Sequence, residues 1–135
     1  MTEYRKPLPR VTPENRPFWD AARRHELRLQ RCGDCGHVRY PPAPLCPECL
    51  AETAEWTRVS GRGILSTWVV FHKRYFDAFA DDIPYNVVQV QLDEGPRLTA
   101  NLVGVRNDAI TIGMPVETVF DDVTAEISLP RVRPR

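Results

Sequence analysis

The sequence contains none of the short motifs that mark the common catalytic sites. There is no Gly-x-Ser-x-Gly elbow, no phosphate-binding glycine loop, no His-Glu-x-x-His helix and no dinucleotide fingerprint. Only three histidines are present, His25, His37 and His72, and no nucleophile with a neighbouring base can be assembled from the sequence. We therefore expect that the chain does not catalyse a reaction by itself.

Long apolar stretches are absent as well. The longest nearly continuous one, residues 64–71, is far shorter than the ~20 residues that a membrane-spanning helix needs. The N-terminal segment MTEYRKPLPR lacks the apolar run of a secretory signal. These features predict a cytoplasmic protein without a membrane segment, in a compartment where thiols stay reduced.

Lysine is scarce, and the charges are unevenly distributed. Only two of the 18 basic residues are lysines, and the formal net charge is zero. Residues 64–130 carry four basic and ten acidic side chains, which gives this segment a charge of −6. A groove that binds single-stranded nucleic acid is basic and lined with stacking aromatics. Nucleic-acid binding is therefore the less favoured of two hypotheses about function.

All four cysteines of the chain lie close together, as two Cys-x-x-Cys pairs formed by Cys32 with Cys35 and by Cys46 with Cys49. Such a turn directs two sulfurs toward one point, and two turns supply the four tetrahedral ligands that zinc prefers. Rubredoxin iron uses the same ligands, but no other feature indicates electron transfer, so we predict a structural zinc ion. Because four thiolates saturate the ion, a catalytic zinc is not expected, and His37 is expected to be solvated.

The remaining pattern predicts a mainly β protein in three parts. Residues 1–26 form an N-terminal extension with a short helix that begins near Thr12, because Thr-Pro-Glu is a typical helix start. Residues 27–60 form a rubredoxin-like zinc ribbon around the cysteines. Residues 61–135 hold five strand patterns, at 64–71, 87–92, 97–103, 116–120 and 125–129, and a C-terminal tail. Five short strands predict a five-stranded barrel of the OB type.

The connection between the first two barrel strands, residues 72–86, is long and rich in aromatic residues. It begins at His72 and contains Tyr75, Phe76, Phe79 and Tyr85. Loops of this length in small domains are usually functional or carry structure of their own. Two interpretations stay open: Tyr75, Phe76 and Phe79 form the apolar side of a short helix that plugs the barrel, or the five residues contact a partner or a ligand.

A short helix, a four-cysteine knuckle pair and a small barrel follow one another in this chain. In this order it resembles a family formerly described as a domain of unknown function, in which a rubredoxin-like zinc ribbon is fused to an OB fold. The resemblance is carried by Pro17-Phe18-Trp19, the segment from Leu27 to Gly36, Tyr40-Pro41-Pro42, Cys46-Pro47-Glu48-Cys49, Gly61-Arg62-Gly63, Pro84-Tyr85, residues 90–95 and residues 101–104. It covers nearly the whole chain.

The resemblance implies a function. Members of this family are similar to non-catalytic partners of thiolase-fold enzymes, such as acyltransferases and the lipid-transfer-protein-like aldolases that cleave steroid side-chain CoA thioesters. Others accompany hot-dog-fold enoyl-CoA hydratases. By resemblance we expect an accessory subunit of an acyl-CoA aldolase or acyltransferase, in steroid or other lipid metabolism. It would stabilise the thiolase-fold enzyme in a heteromer and help to accommodate the acyl-CoA substrate.

Overall fold

A computed structural model describes residues 3–135 as one helix, a three-stranded sheet and a five-stranded sheet. The helix and strands are α1 (Arg16–Arg23), β1 (Arg28–Cys32), β2 (Val38–Arg39), β3 (Ala54–Arg58), β4 (Arg62–Phe71), β5 (Tyr85–Leu92), β6 (Arg97–Ala100), β7 (Pro115–Asp122) and β8 (Ser128–Pro134). Two short 3₁₀ turns cover Asp77–Phe79 and Asn107–Ala109. Among the helices of residues 3–135, none has the length and apolarity to cross a bilayer.

Helix α1 begins later than the sequence predicts. Thr12 forms a turn that precedes the helix, in which its hydroxyl accepts a hydrogen bond from the Asn15 N–H at 3.3 Å. Pro17 has no N–H to bond a carbonyl one turn earlier, so a helix that starts at Thr12 could not continue through it. The helix ends in a cap in which the Glu26 N–H bonds the Ala21 carbonyl at 3.0 Å and His25 adopts a φ of 61°.

The three-stranded sheet, in the order β2-β1-β3, carries the cysteines and shares a core with the barrel. Leu29 of β1 is fully buried in one apolar cluster with Phe18 of the helix and Leu65 of β4. The segment that connects β3 to β4 is held at Ser60, whose N–H donates a hydrogen bond to the Glu94 carboxylate at 2.8 Å. These contacts fix the position of the ribbon relative to the barrel.

The five-stranded sheet, in the order β6-β5-β4-β7-β8, curls on itself as an OB fold, which confirms the predicted architecture. Its two ends meet where Leu102 bridges Val132 in parallel, and the Val103 N–H bonds the Val132 carbonyl at 2.8 Å. Strand β5 includes the predicted residues 87–92, and Val88 and Val90 on one of its faces are fully buried. Strands β5 and β6 pair antiparallel and are joined by a short hairpin turn.

All five barrel strands differ in their bounds from the sequence prediction, and the difference is largest for β6 and β8. Strand β6 ends at Ala100, before the predicted end at residue 103. Strand β8 runs from Ser128 to Pro134 rather than over residues 125–129, because the Thr124 hydroxyl accepts the Ile127 N–H at 3.0 Å and closes a turn there. The residues predicted to be a C-terminal tail are therefore a strand, paired along β7.

Among the glycines, Gly63 leaves the least room for a side chain. A Cβ atom there would lie 2.4 Å from the Gln91 carbonyl oxygen and 2.7 Å from Val90 Cγ1. Since backbone cannot move aside cheaply, we expect Gly63→Ala to lower the free energy of unfolding by about 2–3 kcal/mol. Gly113→Ala, at a turn where no atom lies within 4 Å, should cost about 1 kcal/mol. Urea denaturation of both variants checks this, and equal costs would contradict it.

Candidate metal centre and aromatic loop

The two Cys-x-x-Cys segments fold into knuckles with matching backbone hydrogen bonds. In the first, the Gly36 N–H bonds the Cys32 carbonyl at 3.0 Å, and in the second the Leu50 N–H bonds the Cys46 carbonyl at 2.9 Å. The N–H of the first cysteine of each knuckle likewise bonds the carbonyl five residues ahead, at 2.8 Å for Cys32 and 3.0 Å for Cys46. This repeated turn presents both sulfurs of each pair on one side.

The structure brings the four sulfurs together in the geometry of a tetrahedral metal site. All four lie within 4.8 Å of one another, and the Cys32–Cys49 and Cys35–Cys46 sulfurs are 3.5 and 3.6 Å apart. Tetrahedral coordination at a metal–sulfur distance of about 2.3 Å places sulfurs about 3.8 Å apart, whereas a disulfide requires about 2.05 Å. The four cysteines thus form a metal-binding site that fits one ion.

The electrostatics of the cluster favour a bound cation. The N–H groups of Cys35 and Asp34 point at the Cys32 sulfur and lower the pKa of that thiol to about 6. Although the Ala51 N–H opposes it, the adjacent Cys32 sulfur raises the pKa of Cys49 to about 12. Thiolates at this spacing repel one another, and a bound divalent ion removes the repulsion. The metal cluster found among residues 3–135 consists of cysteines alone, so the His37 imidazole lies outside it.

The aromatic loop does not form the predicted helix. Only Asp77–Phe79 make a single 3₁₀ turn, and Phe76 before it has extended backbone angles, so the prediction of a helix that aligns Tyr75, Phe76 and Phe79 is wrong. The side chains of Tyr75 and Phe76 are 60% and 56% exposed, which places them outside the barrel. His72, at the start of the loop, is exposed as well.

The inner part of the loop is anchored to the barrel by aromatic packing. Tyr85 stacks on Phe71 of β4 with ring centroids 5.2 Å apart, and Phe79 packs on Tyr85 at 5.6 Å. From the N-terminal segment, Lys6 lies over the Phe79 ring at 5.5 Å and pairs with the Asp82 carboxylate at 2.5 Å. The loop therefore has a packed base, which contains Phe79 and Tyr85, and an exposed edge, which contains Tyr75 and Phe76. The five residues that the sequence analysis treated as one group thus lie in different environments.

A buried asparagine that sequence reasoning missed holds the end of the loop. Asn86 donates to the Leu102 carbonyl at 2.9 Å and to Asn107 Oδ1 at 3.1 Å, and it accepts the Leu102 N–H at 2.7 Å. Beside it lies a cavity of about 570 Å³, which is bordered by the loop and by the N-terminal segment. The partners of Asn86 are far along the chain, so no local sequence signal could have identified it.

The paired knuckles joined to a curled five-stranded sheet define a zinc-ribbon and OB-fold protein. The model of the ChsH2 rubredoxin-like zinc ribbon domain matches residues 19–55, and that of the ChsH2 C-terminal OB-fold domain matches residues 56–121. The chain belongs to this family, known as the ChsH2 or DUF35 family, which confirms the resemblance seen in the sequence.

Named relatives place the family among subunits and scaffold proteins. A probable enoyl-CoA hydratase alpha subunit of Thermomonospora curvata is 37% identical over 96% of this chain, which spans 40% of that protein. A DUF35 domain-containing scaffold protein of Methanothermobacter thermautotrophicus is 37% identical, with 86% of this chain and 87% of that protein covered. A chain of the Ltp2-ChsH2(DUF35) aldolase structure superposes with a TM-score of 0.85 at 37% identity, over 94% of this chain and 98% of the other.

Proposed function

We propose that this chain is a non-catalytic accessory subunit of a thiolase-fold acyl-CoA enzyme, an aldolase or an acyltransferase. It stabilises the partner and forms part of the entrance for the CoA thioester. The metal is zinc and its role is structural, since Cys32, Cys35, Cys46 and Cys49 would occupy all four positions of the ion. The acyl group, for which the family resemblance implies a steroid side chain or another lipid, belongs to the proposal as well.

The observation that carries the proposal is the structural match to the Ltp2-ChsH2(DUF35) aldolase. That match extends over 94% of this chain and 98% of the other, so it spans both the ribbon and the barrel. The other relatives support it, because they are named as a subunit of a CoA-ester enzyme and as a scaffold protein. These names favour the accessory role over nucleic-acid binding.

One cluster of side chains resembles a catalytic triad but has the wrong connections. His25 Nε2 lies 2.8 Å from Asp122 Oδ1, and the Ser128 hydroxyl donates to the same oxygen. In a triad the histidine stands between the acid and the nucleophile, whereas here the carboxylate stands between the other two. Hydrogen bonds from Ser128 and His25 lower the pKa of Asp122, so the carboxylate stays ionised and joins β7, β8 and the end of α1. The cluster of His25, Asp122 and Ser128 therefore stabilises the fold and does not form a catalytic site.

The proposal is tested by reconstitution with the thiolase-fold subunit that co-purifies with the tagged chain from its host. We expect no turnover of the acyl-CoA by this chain alone, and a higher kcat/KM when the chain is added to the partner. His25→Ala should leave the turnover of the complex unchanged. Turnover by the isolated chain that a point mutation abolishes would overturn the non-catalytic role.

The exposed edge of the aromatic loop is proposed to contact the partner or the acyl-CoA at the shared entrance. Tyr75 and Phe76 leave apolar ring surface in water, and buried aromatic residues contribute most to interface energies. We expect Tyr75→Ala and Phe76→Ala to weaken the heteromer about tenfold with little change in melting temperature. Phe79→Ala is the comparison variant. Because Phe79 packs on Tyr85, this substitution should lower the melting temperature instead.

Binding isotherms and thermal unfolding of the three variants separate the two roles. If Tyr75→Ala and Phe76→Ala unfold the free chain while the affinity per folded molecule stays unchanged, the loop only plugs the barrel. The partner-contact role of the loop would then be abandoned, and the accessory function would rest on other surfaces.

A further inference from the structure

Leu50, directly after the second knuckle, combines two features that do not serve the fold. Its φ is +64°, in the left-handed region that bulky side chains rarely adopt, and its side chain is 71% exposed. The equivalent position of the first knuckle is occupied by Gly36, with a φ of +78°. Both residues donate their N–H to the first cysteine of their knuckle, so the turn imposes this conformation at both places.

Glycine is the residue that such a turn favours, because it reaches a positive φ without steric cost. The first knuckle uses it, whereas the second holds a leucine that the turn disfavours and that solvent surrounds. Neither the backbone nor the core benefits from this side chain. Strain that persists without a benefit to folding commonly marks a functional position.

The surface around Leu50 is apolar and acidic. Leu45, directly before the second knuckle, is 43% exposed. The Cys46 N–H bonds the Ala51 carbonyl, and this hydrogen bond joins the two ends of the knuckle, next to Leu45 and Leu50. Residues 41–55 contain three glutamates and no lysine or arginine, in a chain with equal numbers of both charges. Glu48 and Glu52 are exposed, and each lies two residues from Leu50 in the chain. Four thiolates around a divalent ion would add further negative charge.

We propose that these four residues, Leu45, Glu48, Leu50 and Glu52, form a docking tip that inserts into an apolar pocket bordered by lysine or arginine on the partner enzyme. This inference rests on the proposed function. Charge complementarity selects the occupant, since an acidic rim repels nucleic acid, anionic membrane surfaces and a second copy of the same tip. The leucine at position 50 supplies apolar contact area at the centre, and the glutamates orient it.

The test is Leu50→Gly, which relieves the strain and removes the contact together. We measure its Kd for the thiolase-fold subunit that binds the wild-type chain, and the melting temperature of the free chain. We expect the Kd to rise at least about tenfold, while the melting temperature stays unchanged or rises. Leu50→Asn, which also tolerates a positive φ, should behave in the same way. Ile112→Ala is the matched control, because Ile112 is also 71% exposed but lies in the barrel portion.

The outcomes separate the docking tip from the function on which it rests. If the wild-type chain binds no thiolase-fold subunit, the proposed function fails and the docking tip fails with it. If the wild-type chain binds and Leu50→Gly binds equally well, the docking tip alone is wrong. A fall in the melting temperature of Leu50→Gly would show that the leucine stabilises the fold and would contradict the inference. An equal loss of affinity in Ile112→Ala would show that the effect is not specific to the docking tip, which also contradicts it. A wild-type chain that dimerises through Leu50 would assign the tip to a second copy and also contradict the inference.

Discussion

Replacement of Cys46 by serine is expected to release the metal and to unfold the zinc ribbon. Cys46 is fully buried, and its sulfur lies 3.6 Å from that of Cys35. Metal binding and folding are coupled in sites of this kind, because the ligand set does not exist in the unfolded chain. We expect the melting temperature to fall by roughly 15 °C, which corresponds to a loss of about 4 kcal/mol in a domain of this size.

Elemental analysis and thermal unfolding, before and after chelation, measure this effect. The wild-type protein should be colourless and contain one zinc per chain, and chelation should reproduce the loss seen in Cys46→Ser. His37→Ala is the control: the imidazole lies outside the sulfur cluster, so the zinc content should not change. Iron in the purified protein, or a chain that is equally stable without metal, would contradict the structural zinc.

The thiolase-fold partner expressed without this chain is expected to be insoluble or inactive, and co-expression should restore it. The accessory role predicts that the partner exposes apolar surface, which this chain covers. Co-expression with the Cys46→Ser chain should fail to rescue the partner, since the ribbon that carries Leu45 and Leu50 is then unfolded. Soluble yield and acyl-CoA turnover are measured in the three combinations. A partner that is fully active alone, with the same KM when this chain is added, would refute the accessory role.

The metal site could be predicted from the sequence because its determinants are local. The spacing of Cys32 and Cys35, and of Cys46 and Cys49, fixes the two knuckle turns, and each turn needs only the backbone of its own residues. Strand β5 was equally accessible to prediction, since the alternation of Val88 and Val90 requires only one buried face. In both cases the sequence within a few residues determines the structure.

Strand β8 was placed wrongly because its sequence is typical of a tail. Pro130 and Pro134 lack a backbone N–H, yet both pair with β7, which is tolerated because β8 is an edge strand of the sheet. Arg131 and Arg133 point toward the acidic side chains of β7 and pair with Asp121 and Glu117. These contacts exist only after the barrel has closed, so no local pattern shows them.

The role of the aromatic loop depended on tertiary contacts in the same way. The sequence identified the loop and its aromatic residues, but it could not tell Phe79, which packs on Tyr85, from Phe76, which is exposed. The role of Asn86 could not be predicted for the same reason, because its partners Leu102 and Asn107 come close to it only in the folded barrel. The exposed and the anchoring residues of the loop are separated by long-range packing.

Native mass spectrometry of the complex purified from the host on the tagged chain tests the central claim most directly. The chain alone has a mass of 15.5 kDa, and thiolase-fold enzymes are usually dimers by family resemblance. The account predicts one assembly that contains two copies of this chain, two copies of a thiolase-fold subunit and one zinc for each copy of this chain. A tagged chain that is recovered alone at its own mass, or in an assembly without a thiolase-fold subunit, would contradict it.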